Sequence, residues 1–178
     1  MVEKARIIIK YCWRITKYDL KKRNSQGWFI EDTWISYGDI GSIYQGKKLT
    51  YDEYVRVEDL YIAAIVLLMN CLDVSHLQVR YLENHGSINE DTSADKEEVI
   101  FVNELKENDL LSLEQVKVAS KLILRNYFWC KLIGKHKMFV DFGYDYYMYI
   151  GSRGECKDAL QKIRESGLYV EHFKSPYK

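Results

Sequence analysis

Asp141, Asp145, Tyr147 and Tyr149 are the side chains whose types and spacing come nearest to a chemical site. They fall in and around the stretch FGYDYYMYIG, residues 142–151. Read as one extended strand over 139–150, successive side chains face opposite ways. Val140, Phe142, Tyr144, Tyr146, Met148 and Ile150 then share an apolar face that fills a core. The other face sets two carboxylates beside two phenols. Two carboxylates can share acid–base work on one bond when they stand roughly 5–9.5 Å apart. Along an unbent strand Asp141 and Asp145 would be about 13–14 Å apart, so an acid–base pair would need a bend at Gly143. The face reads better as an ordinary solvated or partly covered sheet face, or as a surface that grips a protein, because tyrosine offers a large contact area with one polar tip.

Other chemistry is sparse. The four histidines, His76, His85, His136 and His172, have no partner at metal-ligand spacing. There is no phosphate-binding glycine loop and no nucleophile elbow, so neither a metal nor a cofactor is expected. GSRGE, residues 151–155, could cradle an anion before a helix but reads first as a turn. KYDLKKRN carries a basic cluster near Tyr18 and Trp28, which could stack on nucleic-acid bases. Glu90, Asp91, Asp95, Glu97 and Glu98 form an acidic run that could mimic phosphate and steer a basic partner.

The elements that must position these residues can be placed from periodicity. ARIIIKYCWRITKY alternates as a half-buried strand. Thr50 and Glu53 have capping-box spacing, and Tyr54, Val57, Tyr61, Ala64, Ile65, Leu68 and Leu72 repeat at three and four, which predicts a helix. Leu77, Val79 and Tyr81 alternate as a strand. Residues 83–98 read as an exposed acidic loop. Ser112 and Gln115 open a second helix, expected over about 113–132. A third follows around Cys156–Ile163 and ends at Gly167, with a closing strand over 168–173 that is expected to lie parallel beside the preceding one. The expected architecture is one α+β domain over residues 1–178, a mixed β-sheet packed by about three helices.

Composition sets limits. The 178 residues are 47% hydrophobic and 29% charged, with 15 tyrosines, as in a folded globular chain. Net charge is zero, which argues against a general nucleic-acid binder. Its distribution is uneven: residues 1–30 hold eight basic against two acidic side chains, and residues 83–109 hold nine acidic against two basic. Cys12, Cys71, Cys130 and Cys156 are far apart and are expected to be buried free thiols. The longest apolar run, 61–72, is too short to span a membrane. A cytosolic protein is expected.

The segments WRITKY, TWISYGDIG, YDEYVRVEDLYI, FGYDYYMYIG and GLYVEHFKSPY together resemble a group of small, free-standing bacterial proteins. By type, such aromatic-rich α+β domains are similar to the immunity proteins encoded beside contact-dependent-inhibition and other polymorphic toxins. The resemblance implies a non-enzymatic protein that binds and neutralises a cognate toxin domain, a nuclease being the class suited to the acidic run. A nucleic-acid-associated protein using the basic N-terminal region, and an enzyme with an Asp/Tyr site, are the alternatives.

Overall fold

The computed structural model describes residues 9–84, 94–143 and 145–176. Over these the chain runs β1 (Tyr11–Thr16), β2 (Ile43–Tyr44), β3 (Lys47–Lys48), α1 (Tyr51–Cys71), β4 (His76–Asn84), α2 (Lys96–Glu104), β5 (Leu110–Ser112), α3 (Leu113–Leu124), β6 (Phe128–Gly134), β7 (Met138–Phe142), β8 (Tyr147–Ser152), α4 (Lys157–Glu165) and β9 (Tyr169–His172). Seven strands form one sheet in the order β5-β4-β6-β7-β8-β1-β9, and β2 and β3 form a small separate ribbon. The α+β architecture is therefore as expected, with a fourth helix and with every neighbouring pair of strands antiparallel. β8 and β9 do run parallel, but β1 lies between them and is antiparallel to both.

Alternation along the strands gives the sheet an inner face. Ile15, Leu77, Val79, Leu132, Val140, Met148 and Ile150 are buried there, in one cluster with Tyr54, Tyr61, Ile65 and Leu68 of α1 and Ile163 of α4. Thr50 caps α1: its hydroxyl accepts the Glu53 backbone N–H at 3.2 Å. This satisfies one of the donors that a helix start leaves unpaired.

Several elements depart from their sequence pattern for local reasons. The second helix stops at Leu124 rather than near residue 132. Asn126 takes a left-handed conformation (φ +65°). The N–H groups of Asn126 and Tyr127 return to the carbonyls of Ile123 and Leu122, the bond pattern of a Schellman stop. The aromatic run after it pairs as β6. Tyr81 does not continue the buried alternation of Leu77 and Val79. A bulge shifts the register between Arg80 and Glu83, and Tyr81, at φ +56°, is turned 55% into solvent. The acidic stretch is not all loop. Asp95 and Glu98 close a reciprocal capping box at the start of α2, while Glu90, Asp91 and His85 lie outside the described residues.

The expectation of four free thiols is overturned: Cys71 and Cys156 are joined, linking the end of α1 to the start of α4. Sequence separation of 85 residues hid the pair. Cys12 and Cys130 are free. Among the described residues no helix is long and apolar enough to cross a membrane.

Candidate binding groove

Residues 139–150 are a hairpin rather than one strand. β7 and β8 pair with Asp141 opposite Tyr149 and Phe142 opposite Met148. The Gly143 N–H donates to the Tyr147 carbonyl at 2.6 Å. A Cβ on Gly143 would come within 2.8 Å of that same oxygen, so the turn requires glycine here. Because the partners' numbers always sum to an even value, the turn preserves parity: odd residues stay together across both strands. Tyr146, in the turn at φ +61°, faces inward, and its hydroxyl meets that of Tyr54. Tyr144 lies outside the described residues.

The odd face is divided in two. Asp141 is 0% exposed, with Lys131 Nζ 3.2 Å from Oδ1 and the Ser175 hydroxyl donating to Oδ2 at 2.7 Å. The Lys131 contact is an ion pair rather than a directed hydrogen bond, since Oδ1 has no acceptable hydrogen-bond geometry. Burial pushes the Asp141 carboxyl above its ordinary value. Tyr149 is 6% exposed, with the Phe173 ring 5.9 Å away. The C-terminal segment thus covers Asp141 and Tyr149, and neither can meet a partner while it is in place. Asp145 and Tyr147 are left accessible. The two aspartates are not gathered into one accessible acid–base site.

Asp145 and Tyr147 open into a groove of about 590 Å³ with Arg14, Trp28, Ile35 and Phe173. Arg14, on β1, lies between rings: its guanidinium is 3.9 Å from the centroid of Phe173 and 5.0 Å from that of Tyr147. Glu171 on β9 accepts from Arg14 Nε at 2.6 Å and from Arg23 at 2.8 and 3.0 Å. Burial opposes ionisation of Glu171, but the bonds from Arg23 and Arg14 hold its carboxyl below the usual range. Trp28 is presented by a tight turn. Asn24 Oδ1 accepts the N–H groups of Gln26 and Trp28 at 3.0 and 2.9 Å, and Gly27 supplies φ +83°. The Trp28 side chain is left 70% exposed. Next to it Phe29 packs on Tyr18 at 4.7 Å.

The remaining sequence candidates fall elsewhere. Tyr18 is a core residue, 4% exposed, and its hydroxyl donates to the Asp145 carbonyl at 2.7 Å, so it cannot stack on a base. In the basic cluster Lys22 pairs with Glu31 at 2.6 Å and Arg23 pairs with Glu171, which also holds Arg14. In the acidic run, Asp95 and Glu98 cap α2, and Glu98 also bonds Lys121; only Glu97 of these three faces solvent without such a role. GSRGE is a turn in which the Ser152 hydroxyl donates to the Gly154 carbonyl at 2.7 Å. Among the described residues no group of three His, Cys, Asp or Glu side chains could hold a metal. Sequence reasoning missed Arg14, Arg23 and Phe173. Their grouping depends on Glu171, which lies 157 positions from Arg14. The visible signal was the exposed-turn pattern NSQGW.

In comparisons with known proteins, no family model, no curated protein and no solved structure matched the chain.

Proposed function

We propose that the protein binds another protein through this groove, as an immunity protein that neutralises a cognate toxin domain. One observation carries the reading: solvent-facing Trp28 stands across a groove from Tyr147, Phe173 and the ring-stacked Arg14. Trp, Tyr and Arg dominate the energetics of protein interfaces, and rings already held by neighbours lose little freedom on binding. An interface of about 1,200–2,000 Å² in total would extend beyond the groove onto Ile30 and Ile35, both exposed. In this reading the chain binds rather than catalyses. The type of partner comes from the resemblance to immunity proteins.

For a nuclease toxin the acidic run would add steering. Its described members Asp95, Glu97 and Glu98 stand at the start of α2 and do not line the groove, so a groove-centred interface does not depend on them. A cytosolic site of action belongs to the same proposal. The Cys71–Cys156 bond points instead to an oxidising compartment, and thiol counting on protein recovered from each compartment decides between them.

The test is co-expression with the toxin encoded beside it. The wild-type chain should co-purify with the toxin and protect cells. Trp28→Ala with Tyr147→Ala should lose both while the thermal melt of the chain stays cooperative. Absence of co-purification and of protection for the wild type would overturn the reading.

A further inference from the structure

A second cavity, of about 330 Å³, adjoins the groove; Tyr18, Phe29, Glu31 and Thr33 line both. Lys17, just past the end of β1, is one of the residues that line this second cavity. Its Nζ donates to the Trp34 carbonyl at 2.6 Å. The Trp34 ring centroid is 3.9 Å away and that of Tyr18 is 4.2 Å away. Among the described residues no carboxylate lies within 4.0 Å of Lys17 Nζ, whereas Lys22, Lys121 and Lys131 each have one.

The charged groups around Lys17 are occupied with one another. Asp39 uses Oδ2 to accept the N–H groups of Ile35 and Ser36 at 2.7 and 3.0 Å. At the cavity, Lys22 pairs with Glu31 and Arg56 with Glu53. Asp19 accepts the Lys21 N–H, and Tyr61 of α1 takes the Lys17 backbone N–H rather than its amine. Ring faces favour an ammonium. The Trp34 carbonyl also favours the ammonium, but desolvation prevails: burial lowers the Lys17 pKa to about 7, against a weaker opposing pull from Asp39.

We propose that Lys17 is a carbonyl-reactive site: its amine condenses with small, uncharged aldehydes that enter through the 330 Å³ cavity. The Nζ lone pair attacks the carbonyl carbon, forming the C–N bond. The C=O π electrons move to oxygen, which takes a proton to give a carbinolamine. Loss of the hydroxyl with one proton as water leaves the imine. An amine desolvated among apolar groups is a recognised way to activate lysine for this step.

The experiment treats the full chain at pH 7 with propionaldehyde and cyanoborohydride, which delivers hydride to the imine. Peptide mass mapping then follows each lysine over time. Lys17 should be alkylated about tenfold or more faster than exposed Lys47 and Lys48. Its rate should level off above about pH 7, while theirs keeps rising. In urea the preference should vanish, which separates the folded cavity from local sequence. Lys17→Arg should remove the fast site. Labelling of Lys17 at or below the rate of Lys47, or with the same pH profile, overturns the proposal and needs no variant to fold.

Discussion

Lys131 and Lys17 are both withdrawn from water, and the protein treats them in opposite ways. Lys131 on β6 meets Asp141 on β7, each one position past the paired Leu132 and Val140. The carboxylate is fixed by the sheet register, and the C-terminal segment closes over it through Ser175. Lys17 lies beyond the end of β1, where no neighbouring strand sets a partner opposite it. It rests on two rings and a carbonyl and lines the 330 Å³ cavity. The sheet supplies a counter-charge and the C-terminal segment a lid, so the first site is sealed and structural. Lys17 has neither among the described residues, so the second site stays open. The groove of the proposed interface lies on the open side.

The strongest way to break this division is Asp141→Ala. It would leave the buried Lys131 ammonium without its carboxylate, a change that costs about 3–5 kcal/mol. Urea denaturation should show that loss, and adding Lys131→Met should recover most of it. A loss below about 1 kcal/mol would show that the pair is not buried as described. Next comes the open side. Trp28→Ala and Tyr147→Ala should each weaken partner binding by about 2 kcal/mol, measured by calorimetry. Trp28→Ala should leave the urea midpoint nearly unchanged, because its ring is exposed.

The pH dependence sharpens the contrast. Lys17 has a folded pKa of about 7 against 10.5 for an ordinary lysine. Between those values the unfolded chain binds more protons, so stability rises with pH, by at most about 1.4 kcal/mol per pH unit. Lys17→Met should flatten that rise. Asp141 works the other way. Its folded pKa is raised, so the folded chain holds the extra proton, and stability falls as pH climbs through the ordinary carboxylate range to the raised value. Urea midpoints from pH 3 to 10 would separate the two slopes. The smallest effect is at neither site. Thr50→Ala, which removes the cap of α1, should cost about 1 kcal/mol, and Thr50→Ser should restore it.

What could be read in advance was what a short window contains. Parity along 139–150 separated the core residues from Asp141, Asp145, Tyr147 and Tyr149, and it did so despite the turn, because the hairpin register is even. The caps at Thr50 and Ser112 are likewise three-residue signals. Asp95 and Glu98 carried the same signal, which was obscured by the acidity of their surroundings. The missing parts come from distance. The Arg14–Glu171 contact joins β1 to β9 across 157 positions, the Tyr149–Phe173 contact joins β8 to the C-terminal segment, and no periodicity records either. The end of α3 at Asn126 turned on one left-handed residue, within a run apolar enough to continue as a helix or to change to a strand.

The Cys71–Cys156 bond turns the middle of the chain into a covalent ring. The ring contains α2, α3 and five strands, from β4 to β8, while β1, α1, α4 and β9 belong to two tails. Within the sheet β1 pairs with the ring's edge at β8, and β9 pairs with β1. The groove is the seam of that attachment: Asp145 and Tyr147 come from the ring, Arg14 and Trp28 from one tail, and Phe173 from the other. A ligand seated there would act as a rivet through three separately tethered parts of the molecule. A single backbone cut inside the ring would release no fragment, whereas a cut in the loop before β2 would leave β1 held by pairing alone.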